Sequence, residues 1–119
     1  MNDYAKFLSV LLNSITVTHV QHLQSLSYAE HKALGNYYGD VEDLIDNLIE
    51  TMQGKYGIIN GYEYDSDDIG SNPLQYMIKL HEFVRDYRIM MPSDSHIQNI
   101  IDEIVALIDS TIYKLRFLK

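Results

Sequence analysis

The sequence predicts an all-α fold: a single domain over residues 1–119, built as a four-helix bundle with a long connection between the second and third helices. Apolar residues recur every three or four positions through most of the chain, which is the period of a helix. The stretch 54–72 interrupts this period. A chain of 119 residues with 46% hydrophobic residues fits one domain with its own core.

The first helix is predicted over residues 4–26. Asn2 or Asp3 can cap its start, because their side chains accept hydrogen bonds from free backbone N–H groups. The connection around Ser27 and Tyr28 is short, so the second helix is expected to fold back antiparallel. The apolar stripe of the first helix consists of Tyr4, Phe7, Leu8, Leu11, Ile15, Thr18, His22 and Leu26.

The second helix is predicted over residues 29–53, with Gly54 placed to end it as a C-terminal cap. Gly35 and Gly39 weaken its first half by about 1 kcal/mol each relative to Ala, unless close packing requires them. Its predicted apolar face consists of Leu34, Tyr38, Val41, Ile45, Leu48 and Met52.

Residues 54–72 form a glycine-, tyrosine- and aspartate-rich stretch with no sustained period. Connections this long are uncommon in compact domains and usually have a topological or functional reason. In four-helix bundles with one long crossover, that crossover joins the second and third helices, and about 19 residues can run the length of a neighbouring helix.

The third helix is expected to begin with Asn72 as cap and Pro73 at its first position, and to end at Pro92. The fourth is expected to be capped by Ser93, Asp94 or Ser95. The third helix has the apolar face Tyr76, Met77, Leu80, Phe83, Val84 and Tyr87, and the fourth has the stripe Ile97, Ile100, Ile101, Ile104, Leu107, Ile108, Thr111, Leu115 and Leu118.

Composition excludes several classes of function. A net charge of −8 with only nine basic residues argues against direct nucleic-acid binding, which depends on clustered Lys and Arg. The absence of cysteine excludes disulfides, thiolate metal sites and cysteine nucleophiles. The first residues lack the pattern of a signal peptide, and no apolar run approaches the roughly 18 residues of a membrane span, so we expect a cytoplasmic protein.

Histidines and carboxylates in the first half of the chain are the candidate metal ligands. His22 continues the apolar stripe of the first helix, three residues after His19, and His31 begins the second helix. On that second helix, a spacing of three and then four residues aligns Asp43, Asp46 and Glu50. Imidazole and carboxylate groups together suit iron, zinc or manganese. The alternative reading is a solvated acidic face beside a hydrogen-bonded core histidine.

Three segments of the chain together resemble the Dps family of ferritin-like mini-cages: residues 18–22, His31 and residues 46–50. The resemblance implies a ferritin-like bundle that forms a dimer or larger homo-oligomer and oxidises iron between subunits. His22 and His31 of one subunit would face Asp46 and Glu50 of a symmetry mate. Short phage-encoded relatives of that family look similar.

The alternative function is a non-catalytic helical protein–protein interaction module, a degenerate ferritin-like fold without the chemistry. An intrasubunit di-iron centre is not expected, because the chain contains no Glu-x-x-His. The stretch 65–70 resembles the start of a calcium loop, but Tyr76 stands where the loop requires Glu. His81 and His96 are interpreted as surface or capping residues.

Overall fold

A computed structural model describes residues 2–119 and shows an all-α protein, as predicted. No strand occurs in the described part of the chain, and the arrangement of the helices is compatible with a helical bundle. The four α-helices are α1 (Asp3–Gln24), α2 (Tyr28–Tyr56), α3 (Pro73–Tyr87) and α4 (Ser95–Phe117), and a short 3₁₀ turn (Arg88–Met90) follows α3.

The helices pack so that α2 and α3 occupy opposite corners. α2 lies between α1 and α4, while α3 packs against α4 and α1. Near the start of α1, the ring of Phe7 stacks on Phe83 and Tyr87 from the last turns of α3. The side chains of Lys55 and Tyr56, at the end of α2, contact Asp94 at the start of α4. α3 and α4 are therefore each antiparallel to a neighbour.

The segment 57–72 between α2 and α3 lies along α1. Its only side chain in the core is Ile59, which is 5% exposed and lies near the end of α2. Three hydrogen bonds then join the segment to the first, second and last turns of α1. They run from Asn2 Nδ2 to the Asn60 carbonyl (3.1 Å), from the Glu63 N–H to Ser9 Oγ (2.9 Å) and from Gln21 Nε2 to the Ser71 carbonyl (3.0 Å).

Helix starts follow the predicted caps. Asn2 accepts a hydrogen bond from the N–H of Ala5, and Asn72 accepts one from Gln75, with Pro73 at the first position of α3. Asp94 occupies the cap position of α4, but its carboxylate binds the end of α2 instead of the local backbone.

The predicted end of α2 at Gly54 is wrong. The helix continues to Tyr56 and is capped by Gly57, whose N–H donates to the carbonyl of Gln53. Gly57 has a φ of 92°, a conformation that glycine adopts without the strain a Cβ would bring. α3 also ends earlier than expected, at Tyr87, and passes into the 3₁₀ turn before Pro92.

The core follows the predicted stripes with three corrections. Leu26 is fully exposed, because α1 ends at Gln24 and Leu26 lies in the link to α2. Leu118 is also exposed, because α4 ends at Phe117 and Leu118 follows it. On α2, Tyr37 is fully buried while Tyr38 is only half-buried. The hydroxyl of Tyr37 forms a buried hydrogen bond of 2.8 Å with Ser14 Oγ on α1, and burial raises the pKa of Tyr37. No helix within residues 2–119 combines the length and the apolar character needed to cross a membrane.

Asp94 joins the end of α2 to the start of α4. The Lys55 ammonium and then the Tyr56 hydroxyl donate to its carboxylate and lower the pKa of Asp94 to about 2. The pKa of an aspartate in an unfolded chain is about 3.9. Because the folded-state pKa is the lower one, this contact stabilises the fold above about pH 4, and its contribution is lost as the pH falls towards 2.

Replacing Asp94 with Asn should therefore flatten the acid dependence of stability. Asn keeps a good cap residue at the start of α4 but removes the titrating group. We expect wild type to lose more stability than Asp94→Asn between about pH 5 and pH 2, measured as the urea unfolding midpoint at each pH. Asp67→Asn, in the exposed linker, is the control and should follow wild type. Parallel curves for wild type and Asp94→Asn would contradict the assignment.

Candidate functional site

His22 and His31 form a close pair across the three-residue link between α1 and α2. Their rings stack with centroids 3.7 Å apart and planes inclined by 17°. Each ring also reaches the backbone of the other residue. His22 Nδ1 lies 2.5 Å from the carbonyl oxygen of His31, and His31 Nδ1 lies 2.7 Å from the carbonyl oxygen of His22. The sequence left open whether the short link lets these two residues converge, and in this geometry they do.

The two hydrogen bonds fix the tautomer of both rings. A carbonyl oxygen can only accept, so the Nδ1 atom of each ring must carry the proton. In a neutral imidazole the lone pair is then on Nε2. Neither Nε2 atom has a hydrogen-bond partner within residues 2–119. A metal-binding histidine commonly donates its other N–H to a backbone carbonyl in this way.

Two further rings extend the pair along the α1–α2 contact. His19 stacks on Tyr38 with a centroid distance of 4.2 Å, and His22 meets the same tyrosine edge-on at 5.4 Å. Both histidines on α1 therefore pack against α2, and Tyr38 contacts the rings of both.

Gly35 provides the space that the His22 ring occupies. A Cβ atom at this position would lie 2.9 Å from Cε1 and 3.0 Å from Nδ1 of His22. Stacking and the hydrogen bond to His31 both hold that ring, so it cannot move aside freely. Gly39, in contrast, has nothing within 4 Å of a Cβ in the subunit. Close packing therefore accounts for one of the two helical glycines.

The predicted carboxylates lie far from the histidines within one subunit. Asp46 and Glu50 are exposed on α2, the continuous helix that also carries His31 near its start. At 1.5 Å per residue, Asp46 is about 22 Å along the helix from His31. Among residues 2–119, no three His, Asp or Glu side chains come together in a group able to hold a metal ion. The four-residue site predicted from the sequence would therefore need a second subunit.

The stacked arrangement also limits how the rings can bind a metal. An imidazole holds an ion in the plane of its ring, about 2.0–2.1 Å from the nitrogen in the case of zinc. Two rings inclined by only 17° have planes that do not meet at a shared ion. As arranged, each ring fits its own ion, and one ion shared by both would require a ring to turn.

The contact of Tyr38 with the histidines of α1 was not predicted from the sequence, which placed Tyr38 on the apolar face. Gly35 was predicted to weaken the helix unless close packing requires it, but the packing partner, His22, was not predicted. Gly35 lies four residues after His31 and Tyr38 lies seven residues after it. This is the spacing of one helix face, so both lie beside His31 on α2. That spacing was the available signal.

The other histidines and the linker acids behave as surface groups. His81 Nε2 lies 3.0 Å from Asp109 Oδ1, and His96 is exposed. Asp65 accepts a hydrogen bond from the N–H of Asp67, which closes a local turn in the linker.

A comparison with known protein families matches residues 22–115 to a family described as a family of unknown function, DUF5856. The chain belongs to this family. The matched range begins at His22 and includes His31, Asp46 and Glu50, together with all of α2 and α3. No curated protein and no solved structure matches the chain.

Replacing Gly35 with Ala should break the histidine pair. The added Cβ displaces the His22 ring, and we expect a loss of about 1–3 kcal/mol in the free energy of unfolding, typical of overpacking. Loss of the hydrogen-bonded Nδ1–H signals in the ¹H–¹⁵N NMR spectrum of the imidazoles would report the displaced ring directly.

Gly54→Ala is the matched control, since it lies in the same helix with nothing within 4 Å of a Cβ. There we expect a gain of up to about 1 kcal/mol from helix propensity. In the double variant Gly35→Ala/His22→Ala the clash is absent. This variant should therefore be more stable than His22→Ala alone, by part of the gain expected for Gly54→Ala. Equal stability effects of Ala at positions 35 and 54 would contradict the packing role of Gly35.

Proposed function

We propose that this protein is a self-associating, ferritin-like bundle, related to the Dps family, that binds and oxidises Fe(II) between subunits. His22 and His31 of one subunit would bind iron together with Asp46 and Glu50 of a second. The observation that carries this proposal is the pair of Nδ1–H donations to backbone carbonyls, which leaves the Nε2 lone pairs of both rings without a protein partner.

The course of the chain supports the ferritin-like part of the proposal. Ferritin-like bundles have one long crossover, between the second and third helices. Here the segment 57–72 runs along α1 from Asn2 to Gln21, and α2 and α3 lie at opposite corners. This path supports a crossover of the ferritin-like kind.

The chemistry of the donors supports iron as the substrate. Imidazole nitrogens with carboxylate oxygens suit iron among the transition metals. Asp46 and Glu50 are one helical turn apart on an exposed face of α2, so both carboxylates are available to a neighbouring molecule. The near-parallel rings favour one ion at each imidazole, with the partner's carboxylates completing the coordination.

Iron oxidation by carboxylate variants tests the proposal without disturbing the fold, because these side chains are exposed. Anaerobic Fe(II) is added to the protein, and the appearance of Fe(III) after addition of oxygen or peroxide is followed by absorbance. We expect Asp46→Asn, Glu50→Gln and His31→Ala each to slow the reaction by about tenfold or more. Glu103→Gln and His96→Ala, exposed residues of the same types on α4, should leave the rate unchanged.

Mixing two inactive variants tests whether the site lies between subunits. In a two-fold pair of one His31→Ala and one Glu50→Gln subunit, one of the two sites keeps all four native ligands. Refolded mixtures should therefore recover a substantial part of the activity. A monomer in light scattering, or wild-type protein without iron-dependent oxidation, would rule out the proposal.

A second candidate function is supported by exposed apolar side chains at the link between α1 and α2. Leu23 is 67% exposed, Leu26 104% and Tyr28 77%, and all three lie within six residues. Contiguous exposed apolar residues of this kind mark protein–protein contacts. This surface favours a helical interaction module that associates through its α1–α2 end and needs no metal.

Substitution of Leu26 by Ser distinguishes this candidate from the iron proposal. Burial of a leucine in a contact contributes about 1.5–3 kcal/mol, so association should weaken by about tenfold or more. Ile58→Ser, 75% exposed at the opposite end of the molecule, is the control and should not change association. Sedimentation velocity in the presence of a chelator measures both. Unchanged association of Leu26→Ser would exclude this end as the contact.

A further inference from the structure

A cavity lies between α1, α3 and the linker, away from the histidine pair. Its volume is about 610 Å³, within the range of roughly 300–1,000 Å³ common for small-molecule sites. Val10 on α1 and Leu80 and Phe83 on α3 form its apolar wall, and Gly61, Glu63, Asp65 and Asp68 line it from the linker. The helices also contribute polar side chains to the lining, among them Lys6, Asn13 and Tyr76.

Two polar side chains in the lining have no protein partner. Tyr76 is 6% exposed, and its hydroxyl forms no hydrogen bond within residues 2–119. Burial raises its pKa, with smaller contributions from Tyr37, Asp68 and Asp65, so the hydroxyl stays protonated. Tyr76 lines the cavity together with Asp65 and Asp68. Asn13 Oδ1 is also buried without a partner. A buried polar group without a hydrogen bond is costly, and both groups are available to a ligand.

The charges of the lining favour a cation. Lys79 is paired with Asp68 at 3.2 Å, and the Lys6 ammonium lies 5.4 Å from the centre of the Tyr87 ring. The carboxylates of Glu63 and Asp65 form no ion pair with Lys or Arg among residues 2–119. The linker side of the cavity therefore has negative charge that no ammonium group pairs, and the lining as a whole carries three carboxylates against the two ammonium groups of Lys6 and Lys79.

We propose that this cavity binds a small aromatic amine. The ring would pack on Val10, Leu80 and Phe83, and the ammonium group would donate hydrogen bonds to Asp65 and to the Tyr76 hydroxyl. The unpaired carboxylates select a cation, the apolar wall selects a flat hydrocarbon body, and the volume admits a molecule of bicyclic size. The site shares no residue with the proposed iron ligands, so the result of the iron-oxidation test neither supports nor contradicts it.

Three probes with the same indole ring test the inference: tryptamine, the neutral tryptophol and the anionic indole-3-propionate. Binding is measured by isothermal titration calorimetry on the full chain, and the site is located by NMR shift changes at Leu80 and Phe83. We expect tryptamine to bind at least about tenfold more tightly than tryptophol, because a charge-assisted hydrogen bond is stronger than a neutral one. Indole-3-propionate should bind most weakly.

Variants of the linker and of α3 identify the recognising groups. Asp65→Asn keeps the acceptor for the Asp67 N–H and should weaken tryptamine about tenfold while leaving tryptophol nearly unchanged. Asp67→Asn, outside the lining, is the control and should not change either affinity. Tyr76→Phe should weaken tryptamine and keep the fold, which circular dichroism checks.

Four results would overturn the inference. These are equal affinity for the three probes, preferential binding of indole-3-propionate, tryptamine affinity that Asp65→Asn leaves unchanged, and no binding of any probe at millimolar concentration. Loss of iron oxidation in Glu50→Gln with tryptamine binding retained would show that the two sites are separate.

Discussion

The three-residue link between α1 and α2 is the constraint on which the rest of the fold depends. It forces the two helices to pack antiparallel, and the Tyr4 and Tyr56 rings meet 6.4 Å apart where α1 begins and α2 ends. The chain must then return along the whole of α1 before α3 can begin near Gln21. The extended segment that makes this return fills the groove between α1 and α3 less completely than a helix would, which leaves the cavity. The same link brings His22 and His31 into contact. Both candidate sites therefore follow from the lengths of two connections.

Local sequence signals predicted most of the fold because their causes are local. Asn72 followed by Pro73 begins α3 for reasons contained in those two residues. The end of α2 was less predictable, because Gly54 and Gly57 are both suitable C-terminal caps. The contacts of Lys55 and Tyr56 with Asp94 keep the last turn of α2 helical up to Gly57. This contact joins residues nearly forty positions apart and determines that Gly57, and not Gly54, ends the helix. The periodicity of the sequence does not reveal such a contact.

The candidate site, like the fold, has features with local causes and features that depend on distant contacts. The proximity of His22 and His31 follows from a short link between two antiparallel helices, although the sequence alone left their convergence undecided. Their stacking and the exchange of hydrogen bonds with each other's carbonyls depend on the relative rotation of α1 and α2. Gly35 permits that rotation because it leaves room for the His22 ring, which is the close packing that the sequence allowed for without naming the partner. The intersubunit arrangement depends on a second chain, and the periodicity of one chain gives no information about it.

The placement of His31 and Asp46 on one continuous helix makes the iron proposal a specific statement about assembly. In a two-fold pair, if residue i of one subunit contacts residue j of the other, then residue j of the first subunit also contacts residue i of the second. Contacts of His31 with Asp46 and Glu50 would then place the axis near the middle of the range 38–41 of α2. Gly39 is exposed there with open space around it, which permits close approach of two helices.

Such a crossing would also bring like charges together. Asp40, Glu42 and Asp43 are exposed around the same point of α2, so two copies of this face repel each other at close range. A cation held between the subunits offsets that repulsion, and by linkage a metal that binds the dimer better than the monomer strengthens the dimer. Association through the apolar α1–α2 end has no such requirement. The dependence of association on metal and on ionic strength therefore distinguishes the two modes of assembly, because one contact is between charged faces and the other is apolar.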